Sequence, residues 1–140
     1  MILHQTLQKD CFIVGKFPLC LLLLLNDSNY PWFILVPQRD GMREIHQLAA
    51  ADQQQLIRES SLLSRCIEQH FKADKINIAA LGNMVPQLHI HHIVRYTSDA
   101  AWPAPVWGNV AAKPYAPDAA EQLCQRIRGL LEDHGLQSIG

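Results

Sequence analysis

Residues 87–95 read Gln-Leu-His-Ile-His-His-Ile-Val-Arg, and their first five positions alternate polar with aliphatic side chains. A period of two fits a β-strand with one buried face and fits no helix. On such a strand Gln87, His89 and His91 project to one side, with same-face neighbours roughly 7 Å apart, twice the rise of about 3.3 Å. Leu88, Ile90 and Val94 line the other side and supply the core. Two imidazoles and an amide at that spacing can engage different atoms of one phosphate group. Pro86 stands at the strand entrance, where a missing N–H is tolerated.

The rest of the chain must cover that strand. Cys11–Val14 and Leu19–Leu25 read as two strands joined by a turn over Gly15–Pro18. The second lacks polar alternation, so it is expected to be covered on both faces. Asn26–Pro31 is a loop by composition, and Trp32–Val36 a third strand ended by Pro37. A helical turn over Arg43–Leu48 leads to Asp52, the expected N-cap of a long helix reaching Phe71. Leu56, Leu63, Cys66, Ile67 and Phe71 form its apolar stripe. Ile76–Leu81 is expected as the fourth strand, Gly82–Met84 as a turn and Gln87–Tyr96 as the fifth. Residues 98–117, rich in Pro, Ala and Trp, read as an irregular excursion whose Trp102 and Trp107 pin it to the sheet or a partner subunit, the alternative being a lid that stacks on a base. Pro117 opens a C-terminal helix reaching about residue 134, with Leu123, Ile127, Leu130 and Leu131 on one face and Gly135 past its end. Early strands and few helices predict an α+β fold: a five-stranded antiparallel sheet, one long helix and a C-terminal helix. At 140 residues the expected organisation is a single domain over 1–140, its core at about 10–110.

Charge and cysteine content narrow the function. The net charge is −1 and Lys and Arg are scattered, so no basic stripe exists for long DNA or RNA. A small anion remains compatible, because backbone N–H groups can supply the field. Cys11, Cys20, Cys66 and Cys124 form no C-x-x-C pair and read as reduced, buried residues of a cytoplasmic protein. The Leu19–Leu25 run is far below the roughly 20 apolar residues of a membrane span. His92 points opposite to His89 and His91, and two imidazoles do not complete a zinc shell, so neither metal nor cofactor is expected. His92 reads as a satisfied core or interface histidine.

The segment from Gln87 resembles the signature of the histidine triad (HIT) family, His-φ-His-φ-His-φ-φ, with φ apolar. Gln87, His89 and His91 take the three triad positions. Gly82-Asn-Met-Val-Pro resembles the family's Gly-Gln-Ser/Thr-Val lead-in, and Asn26 followed by Trp32–Pro37 its ribose-binding Asp or Asn and ensuing strand. The likeness spans roughly residues 10–110. It departs from the family at Gln87, at Trp32 in place of a strand histidine, at His92 where an apolar residue is usual, and in a loop about two residues shorter.

The resemblance implies an enzyme acting on a nucleotide α-phosphate through a covalent nucleotidyl-His89. The substrates it implies are nucleoside phosphoramidates, acyl nucleotides or dinucleoside polyphosphates. His91 would contact the phosphate and help protonate or position the leaving group, and Gln87 could orient but not titrate. Asn26 would meet the ribose, and Gly82 and Asn83 the phosphate oxygens. It also implies a homodimer. The alternative is a nucleotide-binding module whose turnover Gln87 has disabled.

Overall fold

The computed structural model describes residues 1–139; Gly140 lies outside them. Five strands form one antiparallel sheet: β1 (Cys11–Lys16), β2 (Cys20–Leu25), β3 (Trp32–Pro37), β4 (Lys75–Ala79) and β5 (Ile90–Arg95), in the order β1-β2-β3-β5-β4. With α1 (Gln5–Asp10), α2 (Ala50–Phe71) and α3 (Pro117–Leu131), the architecture is the α+β arrangement that the sequence predicts.

β2 and β3 occupy the middle of the sheet and are buried on both faces, as an unbroken apolar run requires. Cys20, Leu22, Leu24, Phe33 and Leu35 face α2 and α3, whose Leu56, Leu63, Ile67 and Ile127 complete the main core. Full burial of one such side chain stabilises the fold by about 1.5–3 kcal/mol. Leu21, Leu23, Trp32 and Ile34 face the other way, into a second cluster closed by Leu3 and Leu7 of the N-terminal segment and by Val106 of the excursion. Register places His91 opposite Ile34, and hence on this second face, and His92 opposite Phe33, on the first.

Two buried polar groups fix α2 on the sheet. Glu59 accepts hydrogen bonds from the backbone N–H groups of Leu19 and Cys20, both at 2.9 Å, and one from Gln55 Nε2. The donors at residues 19 and 20 would otherwise be orphaned at the entrance to β2, so the carboxylate is satisfied despite its burial. Ser60 donates to Nε2 of His92 at 2.7 Å, while Nδ1–H of His92 donates to the Ile90 carbonyl. His92 is therefore a satisfied core histidine.

Several boundaries differ from the sequence reading. The N-cap of α2 is Ala49, and Asp52 lies inside the first turn, where it takes a two-pronged ion pair from Arg39. Favourable helix-dipole placement explains an acid there as well as capping does. β1 continues to Lys16 across a register shift at Ile13/Gly15, so Gly15 belongs to a strand rather than to the turn. β4 covers Lys75–Ala79, and β5 starts three residues late, at Ile90. Leu130 is exposed, and Ala120 and Cys124 join Leu123, Ile127 and Leu131 on the buried face of α3. α1 escaped the sequence reading. Its six residues carry one buried side chain, Leu7, and give no periodic signal.

The excursion packs onto the end of β5. Arg95, 1% exposed, pairs with Asp99 at 2.8 and 3.0 Å and donates to Asn77 and to the Ala104 carbonyl. The Tyr30 and Trp102 rings flank its guanidinium at 5.7 and 5.6 Å. No helix among the described residues is long and apolar enough to cross a membrane.

Candidate active site

The two histidines of the alternating segment meet on the second face of the sheet. His91 lies within β5, and His89 just before it, in extended chain that follows the Gly82–Pro86 turn. Their rings make an edge contact at 4.9 Å between centroids. Nδ1 of His89 lies 2.7 Å from the Gln87 carbonyl oxygen. A carbonyl can only accept, so Nδ1 carries the hydrogen and Nε2 keeps its lone pair. That Nε2 makes no hydrogen bond among the described residues and is not among the atoms sealed from solvent. The ring is thus buried, 5% exposed, with the Nε2 lone pair unused.

His91 is held differently. Nδ1 accepts from the Trp32 indole N–H at 3.0 Å, and Nε2–H donates to the Leu81 carbonyl at 2.9 Å. Trp107 closes the ring's flank at 5.1 Å. Burial lowers the pKa of His89 against the upward pull of the Gln87 carbonyl. Burial pushes His91 down to about 4, and His92 likewise to about 4. All three rings are neutral at pH 7.

The Gln87 side chain is engaged by the N-terminal segment, whose Leu3 and Leu7 close the same second face. Its Oε1 accepts the backbone N–H of His4 at 2.8 Å, and its Nε2 donates to the Ile2 carbonyl at 3.2 Å. The amide of Gln87 is thus occupied by backbone groups of residues 2 and 4 rather than left free beside the two imidazoles. Only the sequence near residue 1 could have signalled this, and nothing in its composition does.

Gly82 and Asn83 border a small cavity with Gln87, His89 and Arg43. A Cβ at Gly82 would stand 2.8 Å from the Val85 carbonyl oxygen and 3.1 Å from Cε1 of His89, so a glycine is required beside the His89 ring. Asn26 sits at the end of β2, some way along the sheet. Its Oδ1 accepts from the Tyr115 N–H at 2.9 Å, and it lines a cavity of about 470 Å³ with Trp32 and Trp107. Asp27, by contrast, is a turn residue, accepting from Asn29 and from the Lys113 N–H. Among the described residues no group of three or more His, Cys, Asp or Glu side chains converges to hold a metal ion.

Fold and site define a class: an antiparallel α+β domain that presents a neutral imidazole, its tautomer fixed by a backbone carbonyl, beneath a cover of irregular chain. The HIT domain model matches residues 6–98, and the chain belongs to the histidine triad family. A histidine triad protein from Marinobacter aquaeolei VT8 superposes with a TM-score of 0.91 at 48% identity, over 94% of this chain and 96% of that one. One from Bradyrhizobium japonicum gives 0.89 at 44% identity, over 91% and 96%. A bis(5'-adenosyl)-triphosphatase of Saccharomyces cerevisiae is 34% identical over 68 residues, 45% of this chain. The match spans a third of the yeast enzyme's length.

Proposed function

We propose that the protein is a nucleotide hydrolase or transferase that works through a covalent nucleotidyl-His89. The observation that carries this reading is the Nε2 of His89, free of any hydrogen bond among the described residues, opposite a hydrogen-bonded Nδ1–H. Its lone pair forms the bond to the α-phosphorus as the bond from phosphorus to the leaving group breaks and that group takes the electron pair. Positive charge then grows on the imidazole, and the Gln87 carbonyl stabilises it by accepting from Nδ1–H. Water attacks next, the N–P bond returns its pair to Nε2, and a nucleoside monophosphate leaves with one proton released.

His91 serves as a positioning residue, since both its nitrogens are engaged and burial keeps it unprotonated. Gly82 and Asn83 offer N–H groups to the phosphate oxygens. Asn26 keeps its amide N–H₂ for the ribose, with the base in the cavity beside Trp107. A small nucleotide substrate of the phosphoramidate, acyl nucleotide or dinucleoside polyphosphate class fits this reading, and the yeast triphosphatase supports the last. The thiols of Cys11, Cys20, Cys66 and Cys124 are all unpaired, which supports a cytoplasmic protein. Ile78 on the edge strand β4 and Ile57 on α2 are both more than half exposed, which supports a homodimer closing that edge.

The test is intact mass after rapid mixing with an adenylate substrate. A gain of one nucleotidyl group is expected in the wild type and none in His89→Ala, with turnover down on the order of 10⁴-fold. An Ala variant that keeps its rate refutes the reading. A second reading, a binding module with negligible turnover, draws on Gln87 being tied to residues 2 and 4. Gln87→His separates the two, speeding an impaired enzyme and leaving a pure binder unchanged.

A further inference from the structure

Two cavities of opposite character flank the histidine pair. That of about 470 Å³ is walled by Leu25, Trp32, Val106 and Trp107, and its ionisable residues are Asp10, Asp27 and Lys9. It suits a neutral aromatic group and disfavours a polyanion. Beyond Gln87 lies a cavity of about 780 Å³ lined by His4, Arg39, Met42 and Arg43, with Asp40 its one acid. The two arginines there are not equivalent. Arg39 spends its guanidinium on Asp52 and on the Gln38 carbonyl. The Arg43 guanidinium has no hydrogen bond or ion pair among the described residues.

Arg43 also borders the small cavity that holds His89, Gly82 and Asn83, where Glu44 is the one acid, and its main chain is fixed on both sides. Its N–H donates to Gln47 Oε1 at 2.9 Å, and the preceding Met42 carbonyl accepts from Leu88 N–H at 3.0 Å. The residue beside the nucleophile thus anchors the loop that carries this cation. A free guanidinium matches phosphate oxygens in a two-pronged geometry that a lysine cannot reproduce.

We propose that Arg43 is a specificity-determining residue, binding the phosphate of a leaving group on the side of His89 away from the nucleoside cavity. This rests on the nucleotidyl-His89 reading for its place in the reaction, but not for the anion site itself. Two measurements keep these apart. The first compares kcat/KM for diadenosine triphosphate, whose leaving group carries phosphates, with that for adenosine phosphoramidate, whose leaving group is ammonia. The ratio is expected to fall 10- to 100-fold in Arg43→Gln and to recover in part in Arg43→Lys. The second is calorimetric binding of inorganic pyrophosphate, expected to weaken at least tenfold in Arg43→Gln. An unchanged ratio, or losses equal for both substrates, overturns the proposal, as does pyrophosphate binding that ignores Arg43. Absence of any nucleotidyl adduct in the wild type, with pyrophosphate binding still dependent on Arg43, overturns the His89 reading and upholds the anion site.

Discussion

The Trp32 indole N–H reaches Nδ1 of His91 at 3.0 Å across the β3–β5 seam. That bond decides the proton inventory of the site. With Nδ1 accepting, His91 must hold its hydrogen on Nε2, which the Leu81 carbonyl takes. Trp32→Phe keeps an aromatic ring but strands a buried acceptor, which costs about 1–3 kcal/mol. The midpoint of a urea titration is expected to fall accordingly. A loss below about 0.5 kcal/mol would show that the bond contributes nothing.

Gly82→Ala tests the closeness of the lead-in turn to the nucleophile. The new methyl group would press on the Val85 carbonyl and on Cε1 of His89, so the ring must shift. A misplacement of about 1 Å can cost on the order of 10²-fold. The expected outcome is a kcat lowered 10- to 100-fold together with a lowered unfolding temperature, because the Val85 carbonyl is backbone and must also move, read by steady-state kinetics alongside calorimetry.

Protonation should hurt stability before it quenches chemistry. His91 and His92 titrate near 4 in the folded chain and near 6.5 when unfolded, so between those values the unfolded state binds more protons. Stability is therefore fully present above about pH 6.5 and declines as pH falls toward 4. His89, also shifted down by burial, stays neutral to a lower pH than a free imidazole does. Single-turnover rates are expected to hold steady from pH 8 to 6.5 while the unfolding temperature drops below 6.5. A rate that halves at pH 6.5 or above would contradict the assignment.

Asp99→Ala should unfasten the excursion. Burial by itself would raise the Asp99 pKa, but Arg95 and the N–H groups of Tyr96, Ala101 and Trp102 hold it at about 2. Removing the carboxylate leaves a guanidinium buried without its partner, at a cost of about 3–5 kcal/mol. Proteolysis within residues 98–117 is expected to accelerate, and equal rates in variant and wild type would count against this anchor.

The strands and both long helices were legible because their signals are long: six consecutive apolar residues for β2, and a helical stripe from Leu56 to Ile67. The polar alternation identified His89 and His91 and their common face, and the opposite orientation of His92 followed from the same period. The engagement of the Gln87 amide was not legible, for a tertiary reason. Its partners are 83 and 85 positions away, at His4 and Ile2, and no local pattern encodes such a contact. Arg43 and Glu59 were missed similarly. A lone arginine in a loop and a lone glutamate on a helix are ordinary in sequence, and their meaning comes only from the cavity one borders and the strand entrance the other satisfies.

The bonds from Gln87 to Ile2 and His4 have a practical corollary for anyone preparing the protein. A purification tag fused ahead of Met1 has to thread past the mouth of the 780 Å³ cavity, where it can plug the entrance or pull the first residues off the glutamine. Kinetics recorded on such a fusion would describe the appendage as much as the catalyst, so any leader should be cleaved before rates are compared.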